Sequence, residues 1–214
     1  MSLLYRAAAL GFGGAAATTG TYAGVYYMKR ERPSVAEHLK SSGYKLIFFI
    51  ENSDNVKLQW KEEFKSDREN IKLLIGFTGS SDENGGKALE KWCASRLNEE
   101  YSENLEGLEG VKNYCVLRTI DSQLSRNKKG ILADNDSDKW NKTYDKRKAT
   151  TTLSPRSQIG LSGEWGQRND SKNADLPLIK DWCKTQSQSY FLAYQKTYTN
   201  VYNWCTEDGA SVTQ

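Results

Sequence analysis

Thirty basic against 27 acidic side chains leave this 214-residue chain a formal charge of only +3, which excludes a strong electrostatic footprint for nucleic acid. A mean hydropathy of -0.73 is polar for a globular protein, yet 11% aromatic residues exclude an aromatic-poor disordered chain. The core must be weighted toward six Trp and twelve Tyr, and the single histidine, His38, limits the catalytic chemistry available.

Residues 7–28 carry no charge over 22 positions, long enough to cross a bilayer as one helix. Ala16, Gly20 and Gly24 fall at four-residue spacing, the small-residue stripe through which two such helices pack closely into a homo-oligomer. Tyr22, Tyr26 and Tyr27, followed by Lys29, Arg30 and Arg32, form an interfacial anchor. A signal peptide cleaved after Ala23 is the alternative, but its basic leading region would be thin, so an uncleaved span is expected. Orientation is contested. The basic cluster after the span would hold the following domain in the cytoplasm, whereas the cysteine pattern argues for the other side.

The rest of the chain is written twice. Trp92-Cys93 and Tyr114-Cys115 recur as Trp182-Cys183 and Trp204-Cys205, with 22 positions inside each pair and an offset of 90 between pairs. Ser34, Leu39 and Gly43 are echoed by Thr119, Leu124 and Gly130, a helix start and stop signal in each case. Trp60 with Phe64 is echoed by Trp140 with Tyr144, aromatics four apart on one helical face. Around Val111 and Val201 a short strand or a final helical turn would both fit. Residues 71–77 read as a strand, followed by a Gly/Ser/Asp-rich turn through Gly86. The polar stretch 146–174 reads as a long exposed loop in which Trp165 tucks back onto the core, and the residues after Cys205 read as frayed. The expected architecture is mainly α. An anchor (1–33) precedes two related helical units (34–118 and 119–208), short strands remain an option, and a disordered tail (209–214) follows.

Candidate sites divide on spacing. Twenty-two residues between cysteines is no zinc spacing, and one histidine cannot serve two catalytic cysteines, so neither a metal nor a catalytic site is expected. Two options remain. Disulfides Cys93–Cys115 and Cys183–Cys205 would each stabilise by roughly 3 kcal/mol; alternatively, all four are buried thiols beside aromatics. The duplicated pattern favours disulfides. Residues 76–87 resemble a phosphate loop, but Ser81 stands where glycine is required and Ala88 where Ser/Thr would hold magnesium, so no cofactor is expected. Asp134, Asp136 and Asp138 alternate like a calcium loop, but Lys139 occupies the glycine position. This stretch and residues 52–55 read instead as caps of the helices bearing Trp140 and Trp60.

A small-residue N-terminal span, the Ser34/Leu39/Gly43 opening, Trp60 and the Trp92-Cys93 helix together resemble the large paralogous families of uncharacterised proteins in haemotropic mycoplasmas. The resemblance covers most of the chain on loose motifs, and the doubled unit departs from single-copy members. It implies a membrane-associated, surface-displayed and antigenically variable product, and it supplies no catalytic residues. The expected role is therefore interaction with a protein or host-surface partner, without catalysis, on a single-pass membrane protein whose domain is extracellular. A cytoplasm-facing scaffold with reduced cysteines is the alternative. The residues expected to matter are structural: Cys93, Cys115, Cys183 and Cys205, with Trp60, Trp92, Trp140, Trp182 and Trp204.

Overall fold

The computed structural model describes residues 32–167 and 171–211. The expected membrane span, with its Ala16/Gly20/Gly24 stripe, lies outside them; among the described residues no helix is long and apolar enough to cross a membrane. The described chain is mainly helical, in the order α1 (Val35–Ser41), α2 (Ser53–Ser66), α3 (Arg68–Ile75), α4 (Asp82–Leu97), α5 (Leu108–Tyr114), α6 (Ile120–Arg126), α7 (Ser137–Ala149), α8 (Lys172–Ser187) and α9 (Thr197–Cys205). Short 3-10 turns at Ile47–Phe49, Arg156–Ile159 and Asp208–Ala210 fill the connections.

Two apolar clusters run in sequence, one from Val35 to Val116 and one from Ile120 to Cys205. Their backbone frames match. Ser34 bridges Glu100 as Thr119 bridges Tyr190, and Leu46 bridges Val116 as Ile131 bridges Thr206, all antiparallel. Among the described residues strand pairing is limited to these isolated bridges, and the Val111 and Val201 segments, where a short strand or a helical turn would both fit, are helical. The first helix of each half is capped alike. Ser34 makes a full capping box with Glu37, and Thr119 accepts from the Ser122 amide. Asn52 and Asp136 cap α2 and α7 by accepting from the amides that open them.

Five expectations are corrected. Residues 71–75 form the end of α3 rather than a strand: Ile71 and Ile75 share its inner face, and Gly76 in the left-handed region stops it before Phe77. Gly85 and Gly86 belong to the first turns of α4 rather than to a turn, because bare backbone is what lets α4 lie against α2. The stretch 146–174 is not an exposed loop. Arg147, Ser154, Arg156, Ile159 and Leu161 are buried, and Trp165 stacks on Trp204 at 6.1 Å and meets Tyr144 edge-on at 5.4 Å. The frayed tail is ordered through residue 210: Thr206 is fully buried, and Arg147 donates to the Gly209 carbonyl at 2.7 Å. The matching partner of Gly43 (φ +87°) is not Gly130 but Lys128, a non-glycine residue held at φ +58°.

A Cβ on Gly86 would lie 2.8 Å from the Lys61 amide nitrogen and 2.9 Å from the Trp60 carbonyl carbon, both backbone atoms of α2 that cannot swing away. Gly86→Ala should therefore lose about 1–3 kcal/mol in urea unfolding, overpacking outweighing the gain in helix propensity. Gly130→Ala, where a Cβ meets nothing within 4 Å, should be neutral within about 0.5 kcal/mol.

Candidate functional site

Both cysteine pairs sit at disulfide geometry, Cys93 with Cys115 and Cys183 with Cys205, at Cα–Cα separations of 5.6 and 5.7 Å, and all four are fully buried. Each pair ties a long helix, α4 or α8, to the short helix that ends its half. Trp60, Trp140 and Trp204 are buried in the two clusters, while Trp92 and Trp182 are half-buried at their margins. Among the described residues, no three His, Cys, Asp or Glu side chains converge as they would around a metal ion. His38 stacks on Tyr101 at 3.4 Å between ring centroids.

The halves meet along one stripe of α2: Gln59, Glu63 and Ser66, spaced four and three apart on one helical face. Gln59 is buried and clamps the extended segment that follows α8. Its Nε2 donates to the Phe191 carbonyl at 3.2 Å, and its Oε1 accepts from the Ala193 amide at 2.8 Å. Glu63, 1% exposed, accepts through Oε1 from both Arg118, in the linker, and Arg126, on α6. Arg126 also donates to the Ser66 hydroxyl at 3.1 Å, and Arg118 to the Gln123 amide oxygen at 2.8 Å. Burial pulls both guanidiniums below their ordinary values; the neighbouring Arg126 charge lowers Arg118 further, while Tyr114 and Asp67 partly offset the pull on Arg126.

The clamped segment borders two grooves of the seam and bends away in a turn at Ala193–Tyr194, closed by the Gln195 amide donating to the Leu192 carbonyl. Phe191, Ala193 and Gln195 line a groove of about 390 Å³ that also borders Ser66 and Gln123. Tyr190, Leu192 and Tyr194 line a larger cleft of about 620 Å³ whose other wall is Phe49, Ile50 and Leu117. Glu51, Asn52, Asn55 and Lys45 edge that cleft. Its rings are held yet open to solvent. Phe49 is 52% exposed with Lys40 Nζ 4.6 Å from its centroid, Tyr194 is 36% exposed, and Lys45 Nζ lies 5.0 Å over Tyr190. Such exposed rings in a concavity are what a partner's surface would cover.

Neither the seam nor the cleft was among the residues expected from the sequence. A signal does exist: Tyr190-Phe-Leu-Ala-Tyr194 stands where the first half has Glu100-Tyr-Ser-Glu-Asn104, apolar against acidic at the same place in the repeat.

No family model matches the chain, and comparison with curated proteins and with solved structures finds no match to it.

Replacing Glu63 by Gln should destabilise the fold by about 3 kcal/mol in urea unfolding, because two largely buried guanidiniums lose their counter-charge. Glu62→Gln, one residue away and paired with Lys65 at 3.6 Å on the surface, should stay within about 0.5 kcal/mol.

Beside the seam, Tyr114 donates to the Asp67 carboxylate at 2.7 Å, and burial, then that bond and charge, push its hydroxyl up to about 12. The fold holds the neutral phenol, so this contribution is intact below an ordinary tyrosine's pKa of about 10 and is lost as pH rises through about 12. Unfolding midpoints measured across that alkaline range should fall more steeply for the parent chain than for Tyr114→Phe.

Proposed function

We propose that this chain is a membrane-tethered, surface-displayed interaction protein without catalytic activity, which engages its partner at the seam between two stapled halves. The observation that carries the reading is the open aromatic cleft, in which Phe49 and Tyr194 stay exposed on a seam fixed by Gln59 and Glu63. Burial of such rings is worth free energy that the chain itself leaves ungained, and a partner would supply it. Display outside the cytoplasm is supported by the two cysteine pairs at disulfide geometry, since such bonds persist in oxidising compartments. Tethering is supported by the uncharged residues 7–28.

A cytoplasm-facing scaffold is favoured by one feature, the basic residues Lys29, Arg30 and Arg32 that follow the uncharged stretch. The two readings separate on a gel-shift count of cysteines in intact cells, using a bulky membrane-impermeant maleimide with and without an impermeant reductant. Surface display predicts labelling of four thiols only after reduction and denaturation of the exposed domain, with no need to permeabilise. Labelling that requires permeabilisation and no reductant would place the domain in the cytoplasm and remove the surface reading.

A further inference from the structure

The two outer faces of the repeat answer each other on the template of the seam. Across the seam, α2 presents Gln59 and Glu63, and the second half presents Arg118, Arg126 and the stretch 191–193. On α7 the matching positions are Lys139 and Thr143, set around Trp140 as the others are around Trp60. In the first half they are Pro33, Ser41 and residues 101–103, because the Tyr101 amide donates to the Pro33 carbonyl as the Phe191 amide does to that of Arg118. Both sides have changed together. For Glu63 and its two arginines, the outer faces carry Thr143 on one side and Pro33 and Ser41 on the other, all neutral. For Gln59 with Phe191 and Ala193, they carry Lys139 on one side and Tyr101 with Glu103 on the other, a cation matched by a carboxylate.

The first-half edge is open. Glu100 and Glu103 are exposed, and the Tyr101 carbonyl and Glu103 amide, counterparts of the two groups that Gln59 takes, hold no hydrogen bond among the described residues. Arg32 and Lys40 flank this edge at the positions of Leu117 and Ser125, which make no hydrogen bond across the seam. The α7 face, by contrast, is shut by an acidic tail. Glu207 pairs with Lys139 at 2.8 Å, Asp208 with Lys129 at 2.7 Å, and the Gly209 carbonyl accepts from Arg147 at 2.7 Å. Of the acidic groups on the helix itself, Asp136 lies 3.2 Å from Lys139, Asp145 is held by Lys172 at 2.6 Å, and Asp138 stands at the position of Leu58. The tail's hold is shallow. Its two ion pairs are partly exposed, where such pairs contribute little. Thr143, one turn from Lys139 and one from Arg147, is 1% exposed with its hydroxyl unpaired.

We propose that residues 207–210 are a removable cap, and that the α7 face beneath them takes the 100–103 edge of a second copy of this chain. The occupant is selected by the matched substitutions and by the acidic character of the tail that fills its place. Such a contact joins unlike faces, so it runs head to tail and extends into rows rather than closing as a dimer. It draws neither on the aromatic cleft nor on the side of the membrane that the domain faces.

The test is analytical ultracentrifugation of the oxidised full-length chain in detergent, beside two variants that remove the cap. One ends at Thr206; the other carries Glu207→Lys with Asp208→Lys, which sets like charges against Lys139 and Lys129. Near-ultraviolet circular dichroism of the buried tryptophans shows that the fold is kept. Both variants should form a series of species that grows with concentration, weakens at high salt and is absent from the parent chain. Glu100→Lys with Glu103→Lys, added to either variant, should weaken that association about tenfold or more. Mixing the reversed chain with a capless chain carrying Lys139→Glu and Lys142→Glu should restore it. Folded capless variants that associate no more than the parent overturn the proposal, as does association that survives the reversal at Glu100 and Glu103. Should truncation unfold the second half, the lysine variant decides alone. Neither result bears on the maleimide experiment, so surface display stands or falls separately.

Discussion

A carboxylate that water cannot reach governs how the two halves are joined. Glu63 is 1% exposed, and a lone buried charge of that kind is tolerable only if it is neutralised in place. Both neutralising groups come from beyond the first half, Arg118 from the linker and Arg126 from α6. The electrostatic requirement of one side chain on α2 therefore dictates where the second half begins and how α6 lies. Gln59, one turn earlier, repeats the logic with neutral groups by taking both a carbonyl and an amide of the segment 191–193. Apolar packing would bring the halves together in many registers; these directional contacts select one. The cleft inherits its shape from that selection, because one of its walls is the segment that Gln59 holds.

Within each half, the same frame tolerates different interiors because substitutions are matched across space. At the contact of α2 with α4, the Phe64 ring meets the bare backbone of Gly85. At the equivalent contact of α7 with α8, Tyr144 replaces Phe64 and Asp175 replaces Gly85, and the tyrosine hydroxyl donates to the carboxylate at 2.8 Å. That buried carboxylate would be costly alone. Arg156 answers it with two hydrogen bonds from within the 146–174 stretch, the Nη2–Oδ1 one at 2.8 Å, and lies 5.3 Å from the Trp165 ring centroid. A long insertion that reads as loop is therefore part of the second half's core.

This explains what the sequence could and could not disclose. The cysteine pairs, the buried tryptophans and the caps at Ser34, Asn52, Thr119 and Asp136 are local or periodic signals, and a linear reading reaches them. Residues 71–77 misled because an apolar run of that length suits a strand or a short helix equally, and the choice fell to tertiary packing of Ile71. The 146–174 stretch misled because its burial depends on Asp175, whose need for a counter-charge is invisible until α7 and α8 are side by side. Gly130 misled because glycine is the expected residue at a left-handed position. Lys128 holds that position instead, at a strain that surrounding contacts must offset. The Gln59, Glu63 and Ser66 stripe reads as an ordinary polar helix face, and only the presence of the second half buries it.

The asymmetry of the repeat follows from the same geometry. Two end-to-end units create one internal seam and two outer faces, and the outer faces must be closed or made polar. On α7 the face matching the α2 stripe is closed by the chain's own tail, with Lys139 paired to Glu207 at 2.8 Å and Arg147 reaching the Gly209 carbonyl. Gly209 is fitted to that role, since a Cβ there would come against the Asn203 and Tyr202 carbonyl oxygens. In the first half, the connector matching 190–194 has no neighbouring α2 to cover it and is acidic, with Glu100 and Glu103 exposed. Apolar residues are then concentrated at the one place where two units meet, and most of them are covered there. Phe49 and Tyr194 are not, although Lys40 Nζ lies 4.6 Å from the Phe49 ring centroid. Rings left open at the seam's edge, where closure was available by the means used at both ends, are one feature of the described residues that folding alone does not account for.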